Sequence, residues 1–197
     1  MKFSGWKERK AREFFNQEVL PIISEQTQNF TDDEAFAIFS MFISMDKDKG
    51  GSLTCDEFYK LVGIKHSLII ERLWLFLTSG YSNQQGGVNL GDFFRLVSRL
   101  LSMGCKDFAC FTFNIFDVDE RNSLSIYEVD AMLRMIASKK EADHSFLEHV
   151  RFYCGCDKNY ITLVQFLNAV ESKPLIVQPI MVVQEKIKSQ LKLKFRN

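Results

Sequence analysis

One twelve-residue acidic segment, repeated along the chain, constrains this sequence more than any other feature. Asp46-Lys-Asp-Lys-Gly-Gly-Ser-Leu-Thr-Cys-Asp-Glu57 places acids at positions 1, 3 and 12, Gly at position 6 and an apolar residue at position 8. Asp117-Val-Asp-Glu-Arg-Asn-Ser-Leu-Ser-Ile-Tyr-Glu128 repeats the acids at 1, 3 and 12. Two weaker copies exist. Tyr81–Asp92 keeps Gly86 at position 6 and Val88 at position 8, and Cys154–Gln165 keeps Asn159 and Ile161 there. The copies start at 46, 81, 117 and 154, in steps of 35, 36 and 37 residues. Steps this regular predict one supersecondary unit used four times.

The flanks identify that unit. Ile38, Met41, Phe42 and Met45 precede the first segment at helical spacing, and Ala109, Phe113 and Phe116 precede the third. Leu73, Phe76 and Leu77 precede the second, and Phe146, Val150 and Tyr153 the fourth. Phe93, Leu96, Val97 and Leu100 follow the second segment, and Val129, Met132, Leu133 and Ile136 follow the third. Each set is the stripe of a helix with one buried face. Thr31-Asp-Asp-Glu34 is a capping box that starts the first entering helix. With three Pro in 197 residues and 46% apolar content, the chain is expected to be all-α with a sizeable core. No run approaches about 20 apolar residues, so no membrane span is expected. The first residues show no signal sequence, and residue 2 is Lys, which does not take an N-myristoyl chain. Five Cys, an odd number, point to reduced thiols in a cytoplasmic compartment.

These motifs resemble the EF-hand superfamily over about residues 31–172. They look most like its four-hand sensors and regulatory subunits, the group of calmodulin, the neuronal calcium sensors, calcineurin B and the ciliary protein calaxin. The resemblance implies paired hands joined through position 8 of each loop, Leu53 with Val88 and Leu124 with Ile161. The expected organisation is an N-terminal basic and aromatic helix (1–30), a lobe of hands one and two (31–103), a lobe of hands three and four (104–173) and a basic amphipathic C-terminal helix (174–197).

Calcium is a hard cation that takes about six to eight oxygens. Loop one offers Asp46, Asp48 and Glu57, the Ser52 carbonyl, and Thr54 through water. Gly50 leaves position 5 without a side-chain oxygen. Loop three offers Asp117, Asp119, Glu128, the Ser123 carbonyl and Ser125, but Arg121 puts a cation at position 5 and Asn122 replaces the turn glycine. Loops two and four lack an adequate anionic set, with Tyr81, Asn83 and Gln85 in one and Cys154, Cys156 and Lys158 in the other. One or two calcium ions are therefore expected, at hand one and at hand three, with magnesium as an alternative occupant. The opposing expectation is a scaffold that has lost its ions, with the acids serving as helix caps.

Other chemistry is weaker. Cys154-Gly-Cys156 with His149 lacks the second ligand pair of a zinc site. His144-Ser-Phe-Leu-Glu148-His149 is one residue too long for the H-x-x-E-H pattern. No phosphate loop, dinucleotide fingerprint or nucleophile motif occurs, so an enzyme is not expected. Met41, Phe42, Phe58, Phe93, Phe113, Phe116, Met132, Leu133 and Phe166 are candidates for a groove that grips an amphipathic partner helix, or for plain core.

The balance of 25 basic and 25 acidic side chains conceals an asymmetry. Residues 31–172 hold 14 basic against 20 acidic side chains, whereas 173–197 hold 6 against 1. Zero net charge gives no reason to expect a nucleic-acid partner. The basic tail, with Ile180, Val183, Ile187 and Leu191 at helical spacing after Pro179, is expected to dock on the chain's own groove or on a partner protein. Two functions compete: a calcium-responsive regulator, and a calcium-independent structural subunit of a cytoskeletal or ciliary assembly.

Overall fold

Four helix–loop–helix repeats need helices that stop where each loop begins. In the computed structural model, which describes residues 5–62, 68–78, 87–136, 152, 160–172 and 174–191, the helices entering loops one and three end at Met45 and Phe116, one residue before each loop, and the starts of loops two and four lie outside the described residues. Helix α1 (Gly5–Phe14) runs on as a π-helical turn, Phe15–Val19, and α2 is Ser24–Thr27. The first hand is α3 (Asp32–Met45), strand β1 (Ser52–Leu53) and α4 (Cys55–Val62). The second contains α5 (Leu68–Thr78), β2 (Val88–Asn89) and α6 (Leu90–Ser102). The third is α7 (Cys105–Phe116), β3 (Ser123–Ser125) and α8 (Ile126–Ile136), and the fourth ends in β4 (Tyr160–Thr162) and α9 (Leu163–Ser172). A 3-10 turn (Pro174–Val177) leads into α10 (Gln178–Leu191). The described residues are thus an all-α fold with minimal strand. They fall into two compact units, divided after Ser102 and again after Val182.

Local chemistry sets the helix starts. The Thr31 hydroxyl accepts from the Glu34 amide at 3.3 Å, and the Glu34 carboxylate accepts from the Thr31 amide at 2.8 Å. This is the expected capping box, and it satisfies donors that the first turn of α3 would otherwise leave open.

The loops pair as expected. Leu53 faces Val88 across β1 and β2, and Leu124 faces Ile161 across β3 and β4, both antiparallel. All four side chains are buried. Their flanking strand residues are more exposed, the alternation that a period-2 strand imposes.

In the first unit, α3 and α5 both pack on α6, with Phe42 5.7 Å from Phe93 between ring centroids. Phe58 of α4 lies 5.0 Å from Trp74 of α5. The N-terminal segment docks on α3. Phe15 is fully buried, 5.7 Å from Phe36 and 5.0 Å from Phe39. Arg12 pairs with Asp33 at 2.8 Å and lies over the Phe36 ring. Val183, Ile187 and Leu191 of α10 are buried in the same unit, where Gln184 donates to the Leu100 carbonyl at 2.8 Å. That carbonyl belongs to the last turn of α6, where carbonyls have no partner within the helix. In the second unit, α9 packs along α7, and Phe113 lies 5.6 Å from Phe166.

Phe15→Ala should cost about 3–5 kcal/mol of stability, read as a lower urea midpoint at constant slope. Phe14, 54% exposed beside it, should cost under about 0.5 kcal/mol when changed to Ala.

Candidate metal centre

The first candidate ligand of loop one is also the end of a helix. The Asp46 amide donates to the Phe42 carbonyl at 3.0 Å, so α3 carries Asp46 to the mouth of the loop. The chain then turns through Lys49 and Gly51, with φ of 59° and 74°. Glycine adopts this left-handed region at little cost, so position 6 suits Gly51. The turn aims the Gly51 amide at Asp46 Oδ2, 3.0 Å away, and the Gly50 amide at Asp48 Oδ1, 2.9 Å away.

Glu57 closes the loop from α4. Its Oε2 accepts from the Thr54 amide at 3.0 Å and from the Thr54 hydroxyl at 2.9 Å, and its Oε1 accepts from the Lys47 amide at 3.3 Å. The Thr54 amide contributes most to holding the Glu57 carboxyl below the ordinary glutamate range, and the Thr54 hydroxyl and Lys47 amide add to it.

The result is convergence. One carboxylate oxygen each from Asp46, Asp48 and Glu57 lies within 4.8 Å of the others, the one such trio among the described residues. Like charges held this close repel unless a cation balances them. None of the three forms an ion pair among the described residues, although Lys47 and Lys49 are in the same loop. Asp46 Oδ1 is buried and has no hydrogen-bond partner among them. A buried acceptor without a donor is costly, and a cation would satisfy it. The donor set is all oxygen, which suits a hard divalent ion.

Loop three has the same backbone and a different charge pattern. Glu120 and Asn122 take φ of 54° and 57°, matching Lys49 and Gly51 position for position. Asp117 accepts from the Asn122 amide at 2.8 Å and from the Arg121 amide at 3.0 Å. Glu128 accepts from the Ser125 amide at 2.7 Å. Asp117, Asp119 and Glu128 do not converge as the loop-one acids do. Asp119 is instead ion-paired with Arg121, which holds its carboxyl below the ordinary aspartate range.

The remaining candidates have plain positions. Ser52 and Ser123 are strand residues of β1 and β3. Thr54 and Ser125 are N-caps of the exiting helices, each hydroxyl accepting from the amide three residues on. In loops two and four the Asn89 side-chain carbonyl and the Thr162 hydroxyl accept in the same way from the amides of Asp92 and Gln165. Met41, Phe42, Phe58, Phe93, Phe113, Phe116, Met132 and Phe166 are all buried. Leu133 lies in α8, and its side chain is outside the described residues. Tyr81, Asn83, Gln85, His144, His149, Cys154, Cys156 and Lys158 also lie outside them. Motif reading passed over Arg95, which pairs with Asp92, the last position of loop two, at 2.9 Å. The available signal was the three-residue spacing, which makes the two neighbours on a helix face.

Because folding lowers Glu57's affinity for protons, its contribution to stability is present above the ordinary glutamate range. It is lost as pH falls through the lowered value. Thr54→Ala should raise that value toward the ordinary range, measured by carbon-detected NMR titration of the Glu57 carboxyl. An unchanged titration would mean that the hydroxyl plays no part.

No family model matches the chain. Among curated proteins it is similar to calcineurin B subunits. The type 2 form of Homo sapiens is 28% identical over 122 residues, covering 61% of this chain and 69% of the relative. The type 2 form of Rattus norvegicus is 30% identical over 122 residues, covering 61% and 67%. The calcineurin B of Naegleria gruberi is 26% identical over 116 residues, covering 58% and 64%. The chain thus spans about two thirds of the length of the relatives it matches. With four loop motifs at regular steps, two antiparallel loop pairings and these similarities, the chain belongs to the EF-hand calcium-sensor superfamily.

Proposed function

We propose that this protein is a non-catalytic, calcium-binding regulatory subunit that grips a helix of a partner protein, with its calcium site in loop one. The observation that carries this reading is the convergence of carboxylate oxygens from Asp46, Asp48 and Glu57, together with a buried Asp46 Oδ1 that has no hydrogen-bond partner among the described residues. Bound there, calcium would supply the divalent charge that balances the three carboxylates. The Ser52 carbonyl and water held by Thr54 would complete the oxygen set, with magnesium as a weaker competitor. The relatives are themselves named as subunits, which supports a role within an assembly.

The residues suggest how the site could reach the core. Glu57 lies in the first turn of α4, and the next residue, Phe58, is buried against Trp74. A change in how Glu57 is held would move Phe58 and tilt α4. Helix reorientation of this kind exposes an apolar groove in sensor hands. Here it would uncover Met41, Phe42, Phe58 and Phe93, a surface suited to an amphipathic helix. The buried stripe of α10 supports the view that the C-terminal helix already covers apolar surface of its own chain. The free thiols of Cys55, Cys105 and Cys110 fit a cytoplasmic location.

A second reading, a structural subunit that grips its partner at any calcium level, is favoured by the second unit. There Asp119 already has a protein cation.

Glu57→Gln should weaken calcium binding at least ~100-fold, because it removes the carboxylate at the loop's last position, which the calcium-loop template uses for two oxygens. Terbium luminescence or calorimetry reads the change, and an unchanged affinity would remove loop one from the reading. Capture of a partner in calcium and in chelator separates the two functions: a sensor changes its binding and a structural subunit does not.

A further inference from the structure

Loop three keeps the conformation of a cation-binding loop while its position 5 departs from loop one in charge. Its positions 4 and 6 are left-handed like those of loop one, and both loops aim the position-6 amide at the first aspartate. Loop one has Gly50 at position 5, with no side chain. Loop three has Arg121, whose guanidinium is ion-paired with Asp119 and lies 5.4 Å from the centroid of the Tyr160 ring. Tyr160 belongs to β4 and stands opposite Ser125 of β3 in the pairing register. The guanidinium therefore joins a loop-three carboxylate to the strand of the fourth hand.

We propose that Arg121 is a tethered counter-ion that takes the place of a metal ion in loop three. Its planar, permanently charged head neutralises Asp119 and lies over the face of Tyr160 at cation–π distance. The tether removes the dependence on cation concentration, so hand three holds its loop at any calcium level. Beneath the arginine the loop is a latent divalent-cation site. Asp117, Asp119, Glu128 and the Ser123 carbonyl remain at the positions that ligate in this fold. Loop two carries a related ion pair, Asp92 with Arg95, but its first ligand positions are not acidic. The latent site is thus confined to loop three.

The consequence is a division of labour between the units. Cation dependence belongs to the first unit, and the second is constitutive. This deepens the calcium reading of loop one, and the test keeps the two separable. Terbium and calcium binding are measured on the full-length protein, on Glu57→Gln, and on Glu57→Gln combined with Arg121→Gly or with Arg121→Gln. Arg121→Gly makes position 5 match loop one, and Arg121→Gln keeps bulk and polarity without charge.

The expected results are one tight site in the native protein, none in Glu57→Gln, and one restored by either Arg121 change. Adding Glu128→Gln should abolish the restored site. A tight ion in Glu57→Gln alone that Glu128→Gln removes would overturn the proposal. So would failure of both Arg121 variants to bind while circular dichroism shows native helix content. Binding by the Arg121 variants in a protein whose native form binds no ion would refute loop one as a site and sustain the role of Arg121.

Discussion

Each pair of hands is held together by two or three residues of antiparallel strand, and the rest of the structure depends on that contact. Leu53 against Val88 and Leu124 against Ile161 bury the centres of loops that would otherwise be mobile and polar. The backbone hydrogen bonds of such short strands are few, so the contact is stable only because the flanking helices close an apolar core around it. The core in turn needs the loops, since these set where each entering helix ends and each exiting helix begins. Asp46 and Asp117 receive the chain from α3 and α7 in the same way, each amide bonded to the carbonyl four residues back.

Charge separates the two described loops more than backbone shape does. Both turn through two left-handed residues, and both end in a Thr or Ser N-cap followed by Glu. Loop one gathers three carboxylates with no protein cation paired to them among the described residues. Loop three commits one carboxylate to Arg121, and loop two commits its last to Arg95. A guanidinium competes for the same lone pairs as a metal ion, and it is never removed by dilution.

Much of this was legible in the motifs. The starts of loops one and three, the capping box at Thr31 and the buried helix stripes follow from periodicity and side-chain chemistry, and the position-8 pairings follow from the resemblance to EF-hands. The candidate ligands of loop one could be named for the same reason, because ligand spacing in a twelve-residue loop is a local property. The N-terminal helix was less legible. Its aromatic and basic residues were visible, but nothing in the sequence says that Phe15 enters a pocket between Phe36 and Phe39, or that Arg12 meets Asp33. Those contacts join segments about twenty residues apart, and no short-range pattern encodes them. The same holds for Gln184, which reads as a neutral helix residue until it meets the Leu100 carbonyl.

The sequence alone therefore determined the repeat, the helical class and the oxygen-rich character of loop one, because each rests on spacing within one turn or one loop. Tertiary structure decided the rest. It brought Asp46, Asp48 and Glu57 into one cluster, since Glu57 stands on a different helix from the one that ends at Asp46. It turned Arg121 toward Asp119 and Tyr160, and it buried the α10 stripe whose spacing was visible in the sequence but whose cover was not. A side chain's charge is written in the sequence, but which opposite charge it neutralises depends on distances that only the folded chain defines.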